Sequence, residues 1–186
     1  MDDAAPASAT FRPTPDVAVR ARRVSKLFGS TPALVRVDLS VEAGTVCALL
    51  GGNGAGKTTL LRIVATALRP TSGDVAVCGF DVRTQASAVR RCVDLLPAGG
   101  GAYPDLTAIE NLRFATAMRG LAPGERELEQ ALARAGLSQT GHDPVRTFST
   151  GMTRRLGLAR LVLTQPLLAL LDEPYAGLDA DGRELV

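Results

Sequence analysis

Eight residues, Gly51 to Thr58, read GGNGAGKT and place an ammonium and a hydroxyl at the end of a glycine-rich run, with the spacing G-x-x-x-x-G-K-[ST]. That spacing suits the grip of phosphate. Gly51, Gly54 and Gly56 let the backbone curl until its N–H groups point inward at phosphate oxygens, and a helix starting at the end of the run adds the positive end of its dipole. Lys57 can supply charge to the β- and γ-phosphates, and Thr58 can offer an oxygen to Mg²⁺. The chain has 21 basic residues, of which only Lys26 and Lys57 are lysines, so arginine is its default cation and is not used here. A compact ammonium on a flexible stem fits among converging N–H groups where a planar guanidinium does not.

Two further stretches carry groups of the same chemistry. The apolar run at 167–171 ends in the adjacent carboxylates Asp172 and Glu173. Beside a phosphate loop, the first would bond to the water shell of Mg²⁺ and the second would polarise a water for attack. At FSTGM, 148–152, Ser149 and Gly151 stand where a helix begins. A hydroxyl, a small residue and unpaired first-turn N–H groups can form a second anion site, or no more than an ordinary helix cap.

These residues need elements to hold them. Alternation of apolar and polar residues at 17–24 and 32–41 predicts antiparallel strands, and TVCALL at 45–50 reads as a buried strand leading into the glycine loop. Helical spacing follows at 56–68, strands at 74–79 and 92–97, and a helix at 84–91 between them, a pattern of α/β type with parallel strands. From 107 to 164 the character is helical. Thr107 and Glu110 form a T-x-x-E capping box, Glu125 and Glu127 sit in the first turn of a second helix that Gly136 can close, and a third runs from Ser149 to Leu163 before PLLALL returns to a strand.

Composition bounds the rest. The length of 186 residues fits one domain with a sizeable core, and a formal net charge of +2 gives no basic field that would point to nucleic acid as a partner. Cys47, Cys78 and Cys92, an odd number in apolar stretches, are expected to be buried reduced thiols. Residues 1–16, rich in Ala, Pro and Thr, are expected to form a disordered arm. No apolar run approaches the roughly 20 residues needed to cross a bilayer, so a membrane role would require a partner.

In their order, GGNGAGKTT, FSTGM, LLALLDEP and AGLD resemble the nucleotide-binding subunit of ATP-binding cassette (ABC) transporters, over roughly residues 17–186. The resemblance implies a P-loop NTPase (RecA-like) core with an antiparallel β subdomain and an inserted helical subdomain at about 107–164. It implies that Gly51, Gly52, Asn53, Gly54, Ala55, Gly56, Lys57, Thr58 and Thr59 form the phosphate loop for ATP. Ser149 and Gly151 would belong to the family signature, Asp172 and Thr58 would hold Mg²⁺, Glu173 would be the catalytic base, and Asp179 would lie in the D-loop. Phe28 matches the aromatic that stacks on adenine. Two subunits of this kind pair head to tail, each signature helix capping the γ-phosphate held by the other, and closure drives two membrane permease subunits. The implied location is peripheral, on the cytoplasmic face of the membrane.

The chain also departs from the family pattern. Phe148, Thr150 and Met152 replace residues of the usual LSGGQ, and Ala98 or Gly99 stands where a glutamine is expected near the attacking water. The family's switch histidine would fall after Val186, and the sole histidine, His142, reads as a surface residue in a polar loop. A chain truncated in the C-terminal part of the core, marginally soluble and binding ATP better than it turns it over, is the resulting expectation. The resemblance is strongest to drug, lipid and heme export branches, with "LARLVLT" leaning to heme export. The other readings are a soluble ABC ATPase of translation or DNA repair, a hydrolysis-impaired regulatory subunit, and a generic P-loop kinase or GTPase.

Overall fold

The computed structural model describes residues 16–176; the N-terminal arm, save Asp16, and Asp179 with the rest of its loop lie outside them. The chain divides into two compact units, one ending at Val89 and one beginning at Arg90.

The first unit is built on an antiparallel sheet in the order β2-β1-β3-β4, with β1 at Val17–Phe28, β2 at Thr31–Glu42, β3 at Ser72–Val77 and β4 at Phe80–Asp81. Both long strands match the alternation seen in the sequence. Val19 and Ala21 face the core at period two, and then the phase slips so that Val24 is buried as well. The slip is a register irregularity at Arg22–Arg23, where Arg23 takes a positive φ of 48° and its N–H is received by the Asp38 carboxylate at 2.8 Å. An extra residue of this kind re-aims the side chains after it. Helix α1, Lys57–Val64, buries Leu60, Ile63 and Val64 in the same unit. It is shorter than the sequence suggests, because Thr66 adopts φ 61° with its N–H on the Ile63 carbonyl, and the amides of Ala67 and Leu68 fold back onto the Arg62 carbonyl.

Residues 45–50 are not the buried strand that their composition predicts. They have no strand assignment, Val46 and Leu50 are almost fully exposed, and Cys47 is exposed too. A continuous apolar run becomes a central strand only when neighbours pair with it on both sides. Within the first unit no described segment does. Of the other cysteines, Cys78 is half-buried and Cys92 buried, and none of the three is joined in a disulfide.

Helix α2, Ala86–Cys92, runs across the division between the units and leads into β5, Val93–Leu96, which in the second unit pairs in parallel with β6, Leu168–Leu171, in the register Val93↔Leu168 to Leu96↔Leu171. Between these strands in sequence lie α3 (Ala108–Ala117), α4 (Glu125–Arg134) and α5 (Thr150–Thr164). Ile109, Leu112, Leu128, Leu132 and Leu156 form their common core. Helix α5 also packs on β5, and Gly157 makes this possible: a Cβ there would stand 2.2 Å from Leu96 Cδ1 and 3.0 Å from the Gly100 carbonyl. Asp94 on β5 is clasped by Arg160 at 3.2 Å, Arg119 at 3.6 Å and the Thr164 hydroxyl at 3.0 Å, which fixes the strand to the ends of α3 and α5.

The capping box at α3 forms as the sequence predicts. Thr107 Oγ1 accepts the Glu110 N–H at 3.2 Å and the Glu110 carboxylate accepts the Thr107 N–H at 2.8 Å. The Thr107 N–H, then the Thr107 hydroxyl, hold the Glu110 carboxyl below its ordinary value. A depressed carboxyl stabilises the fold above its unfolded pKa and loses that contribution as pH falls through the folded value. Thr107→Ala, which removes the hydroxyl cap, is expected to lower the urea midpoint at pH 7. The Thr107 N–H that mainly holds the carboxylate survives that change, so Glu110→Gln tests the carboxylate: its deficit relative to the parent should shrink as pH falls through the acid range of Glu110, and a deficit independent of pH would show that the carboxylate's charge plays no part.

Candidate functional site

The glycine loop lies in the first unit and is exposed from Gly51 to Ala55, with Gly56 to Thr59 half-buried as the chain enters α1. Gly51, Gly54 and Gly56 all have positive φ, at 155°, 78° and 88°. Gly56 is the position where only glycine fits. It caps α1 in the left-handed region, and a Cβ there would lie 2.5 Å from the Ala33 carbonyl and 2.6 Å from Leu34 Cδ2. Gly52, by contrast, has ordinary φ and open space around its missing Cβ.

Lys57 is the first residue of α1 and its side chain turns back over the loop that precedes it. Its ammonium donates to the carbonyls of Gly51 at 2.7 Å and Gly52 at 2.8 Å. Those bonds occupy two of the three ammonium protons, and they draw the loop into a ring around the charge. The first-turn N–H groups of α1 are left without an acidic side chain.

That omission separates the helices into two kinds. Four helices among the described residues have eight residues or more. The first turns of α3 and α4 carry Glu110 and Glu125 with Glu127, and the carboxylates of Glu110 and Glu127 accept the N–H groups of Thr107 and Gly124 at 2.8 Å. The first turns of α1 and α5 carry none. An N-terminus with no negative side chain keeps its partial positive charge for an external anion.

Ser149 caps α5, its Oγ accepting the Met152 N–H at 3.2 Å and its carbonyl accepting from Thr153. It is exposed and Gly151 half-buried. The hydroxyl is thus an ordinary cap in this structure, and an anion reaching it would meet exposed helix amides. Phe28, at the last position of β1 in the first unit, is 51% exposed, so it is not a core residue. Lys26 Nζ stands 5.1 Å from its ring centroid in a cation–π contact.

The acidic pair lies in the second unit, directly after β6. Asp172 continues the parallel ladder, donating its N–H to the Leu96 carbonyl at 2.9 Å, and is buried. Glu173 breaks it. With φ 52° it turns the chain and leaves its carboxylate exposed. The adjacent positions therefore present one carboxyl inside and one outside. Ala98 and Gly99, where a glutamine would be expected, are both exposed and offer no side-chain donor. His142 is exposed at a surface depression with Ile109, Leu132 and Gly141.

Sequence reasoning missed Arg154. It is the most bulky of the fully buried side chains, and the carbonyls of Ala98, Asp172, Glu173 and Ala176 accept hydrogen bonds from its guanidinium. Its position carried a signal. Arg154, Gly157, Leu158 and Leu161 are spaced on one face of α5, so the charge lies on the stripe that packs against β5 rather than on a solvated side.

The residues fit a phosphate group: an ammonium bonded to two carbonyls of the glycine loop, a helix N-terminus without acid, and a cradle at Gly56 that a Cβ would fill. No cluster of three or more His, Cys, Asp or Glu suited to a metal exists among the described residues. Any Mg²⁺ would rest on one or two protein oxygens together with ligand phosphates, which is how that ion is commonly bound.

Comparison with known proteins agrees with this chemistry. Residues 34–176 match the family described as ABC transporter. A cytochrome c biogenesis ATP-binding export protein of Cupriavidus pinatubonensis is 40% identical over 161 residues, which are 87% of this chain and 71% of that protein. A daunorubicin resistance ATP-binding protein of Streptomyces coeruleorubidus is 40% identical over 170 residues, 90% of this chain and 54% of that one. The chain thus spans between about half and about three-quarters of the length of such relatives. An ATP-binding cassette solved as a dimer in a post-hydrolysis state with ADP and Pi has a TM-score of 0.81 at 25% identity, covering 90% of this chain and 78% of its own. A loop that rings an ammonium at an acid-free helix start, a buried and an exposed carboxylate at a strand end, and these relatives together place the chain in the ABC transporter family, as an ATP-binding domain of its export-type branch.

Proposed function

We propose that this chain is the ATP-binding and ATP-hydrolysing part of an exporter. It takes ATP through residues 51–59 and works with a membrane permease from a peripheral position on the cytoplasmic face. The observation that carries the reading is the Lys57 ammonium ringed by the carbonyls of Gly51 and Gly52 at the acid-free start of α1. In that setting the third ammonium proton and the first-turn amides turn toward an incoming phosphate, and the exposed Phe28 ring offers a face for adenine. No described helix is long and apolar enough to cross a membrane, which suits a subunit that acts through a partner.

Thr58 and Asp172 are the oxygen donors proposed for Mg²⁺, and the ion would neutralise charge on the phosphates. Glu173 is the proposed base. Its exposed carboxylate at a strand end can orient a water and take its proton, while the buried Asp172 stays with the backbone ladder. Ser149 and Gly151 are proposed to meet the γ-phosphate held by a second copy in a head-to-tail pair, with Asp179 in the connecting loop. The relatives' printed names speak of cytochrome c biogenesis, daunorubicin resistance and Nod factor export, so the cargo proposed here is a small organic or lipid-linked molecule rather than an ion. A hydrolysis-impaired subunit that signals by binding ATP remains a second reading, favoured by the bare Ala98 and Gly99.

Two sets of substitutions test the site. Gly56→Ala is expected to lower ATP affinity at least about tenfold by forcing the cap out of its left-handed conformation, whereas Gly52→Ala should stay within about threefold of the parent. Similar losses for both would mean that glycine content, not the geometry at the cap, sets binding. Lys57→Ala should also remove affinity, and Lys57→Arg should fail to restore it because the two carbonyls enclose a compact charge. For catalysis, Glu173→Gln should leave ATP binding near the parent value and lower kcat by about 10²–10⁴. Undiminished phosphate release would remove Glu173 from the role of base, and a parent that binds ATP but never releases phosphate would favour the second reading.

A further inference from the structure

Arg154 lies in the second turn of α5 with 1% relative exposure. Burying a charge is costly unless the group is fully hydrogen-bonded, and its Nε is buried without a partner. What compensates is a set of backbone carbonyls. Nη1 donates to Ala98 at 2.6 Å and Ala176 at 3.2 Å, and Nη2 donates to Asp172 at 2.6 Å and to Glu173. Three of these acceptors belong to the acidic turn after β6, and the fourth to the loop after β5.

Among the described residues the backbone bonds of this turn are of two kinds. Asp172 is in the ladder, but beyond it Glu173 holds φ 52°, a region that non-glycine residues occupy only when their surroundings impose it. The Ala176 N–H to Glu173 carbonyl bond at 3.1 Å closes the turn on itself without tying it to the rest of the unit. The tie is the guanidinium, whose planar fork can face carbonyls on two sides at once, as a single ammonium cannot.

We propose that Arg154 is a positioning residue for hydrolysis. By gripping the carbonyls of Asp172, Glu173 and Ala176 it fixes the direction in which the Glu173 carboxylate leaves the backbone. By gripping Ala98 as well, it makes the start of α5, capped by Ser149, move together with the acidic turn and the loop at 97–101. This rests on the reading of Glu173 as the base. A residue that only filled space at this position would affect folding, not the partition between binding and turnover.

The test uses the full-length protein with Arg154→Lys, which keeps the charge, and Arg154→Gln, which keeps a donor without it. Steady-state kcat and KM, ATP affinity, melting temperature and amide exchange at 173–176 are measured for each. Arg154→Lys is expected to lower kcat by about tenfold or more with ATP affinity within about threefold of the parent. Amides of the acidic turn should exchange about tenfold faster while those of β6 stay protected. Adding Arg154→Lys to Glu173→Gln should slow turnover no further, since the group it positions is already gone. Unchanged kcat and unchanged exchange in both variants would overturn the proposal. So would losses in affinity and melting temperature that parallel the loss in kcat, or single effects that multiply in the double variant. Full turnover by Glu173→Gln alone would overturn the base assignment and the proposal with it; a normal Glu173→Gln effect beside a silent Arg154→Lys overturns the proposal alone.

Discussion

Every α-helix begins with N–H groups that have no partner inside the helix, and how this chain satisfies them organises its chemistry. At α3 and α4 the positive end is met from within: the carboxylates of Glu110 and Glu127 lie at their own helix starts and offset the charge that an external anion would seek. At α1 no acid is present, and the preceding glycines wrap an ammonium to the same spot. Positive charge gathered at a helix N-terminus is unfavourable by itself and becomes favourable when a phosphate enters. The loop is thus an electrostatic arrangement suited to an anionic ligand.

The second unit solves the opposite problem. The end of a parallel strand leaves carbonyls that point beyond the ladder, and the turn after β6 leaves several together. Arg154 gathers them, and Gly157 one turn later allows α5 to lie close enough to β5 for that reach. Asp94, held between Arg119 and Arg160, secures the start of the same parallel pair. The buried Arg154 and the half-buried Arg160 thus tie α5 to the strand ends where the two carboxylates sit, one in the ladder and one outside.

Much of this was legible in the residues. The G-x-x-x-x-G-K-[ST] spacing, the capping box at Thr107 and Glu110, the alternation in β1 and β2, and the apolar run ending in Asp172 each state a local requirement that the local backbone meets. What escaped depends on partners distant in sequence. Residues 45–50 have the composition of a buried strand, but a strand needs neighbours, and composition does not supply them. Arg154 looks like a solvated helix residue until the carbonyl 56 positions before it and those 18 to 22 positions after it are brought to the same point. The slip at Arg23 was hidden for the same reason, since the cross-strand Asp38 receives its N–H.

Phosphate, more than base or sugar, is the group that the loop at 51–58 is proposed to recognise. Calorimetric titration of the protein with ATP, ADP, AMP and adenosine at one ionic strength tests it directly. Affinity should rise steeply from adenosine and AMP, which would place little or no charge at the N-terminus of α1, to ADP and ATP, whose β-phosphate is proposed to meet the Lys57 ammonium. Adenosine or AMP binding as tightly as ATP would contradict the account, because affinity would then come from the adenine contact and not from the ringed ammonium and the open helix end.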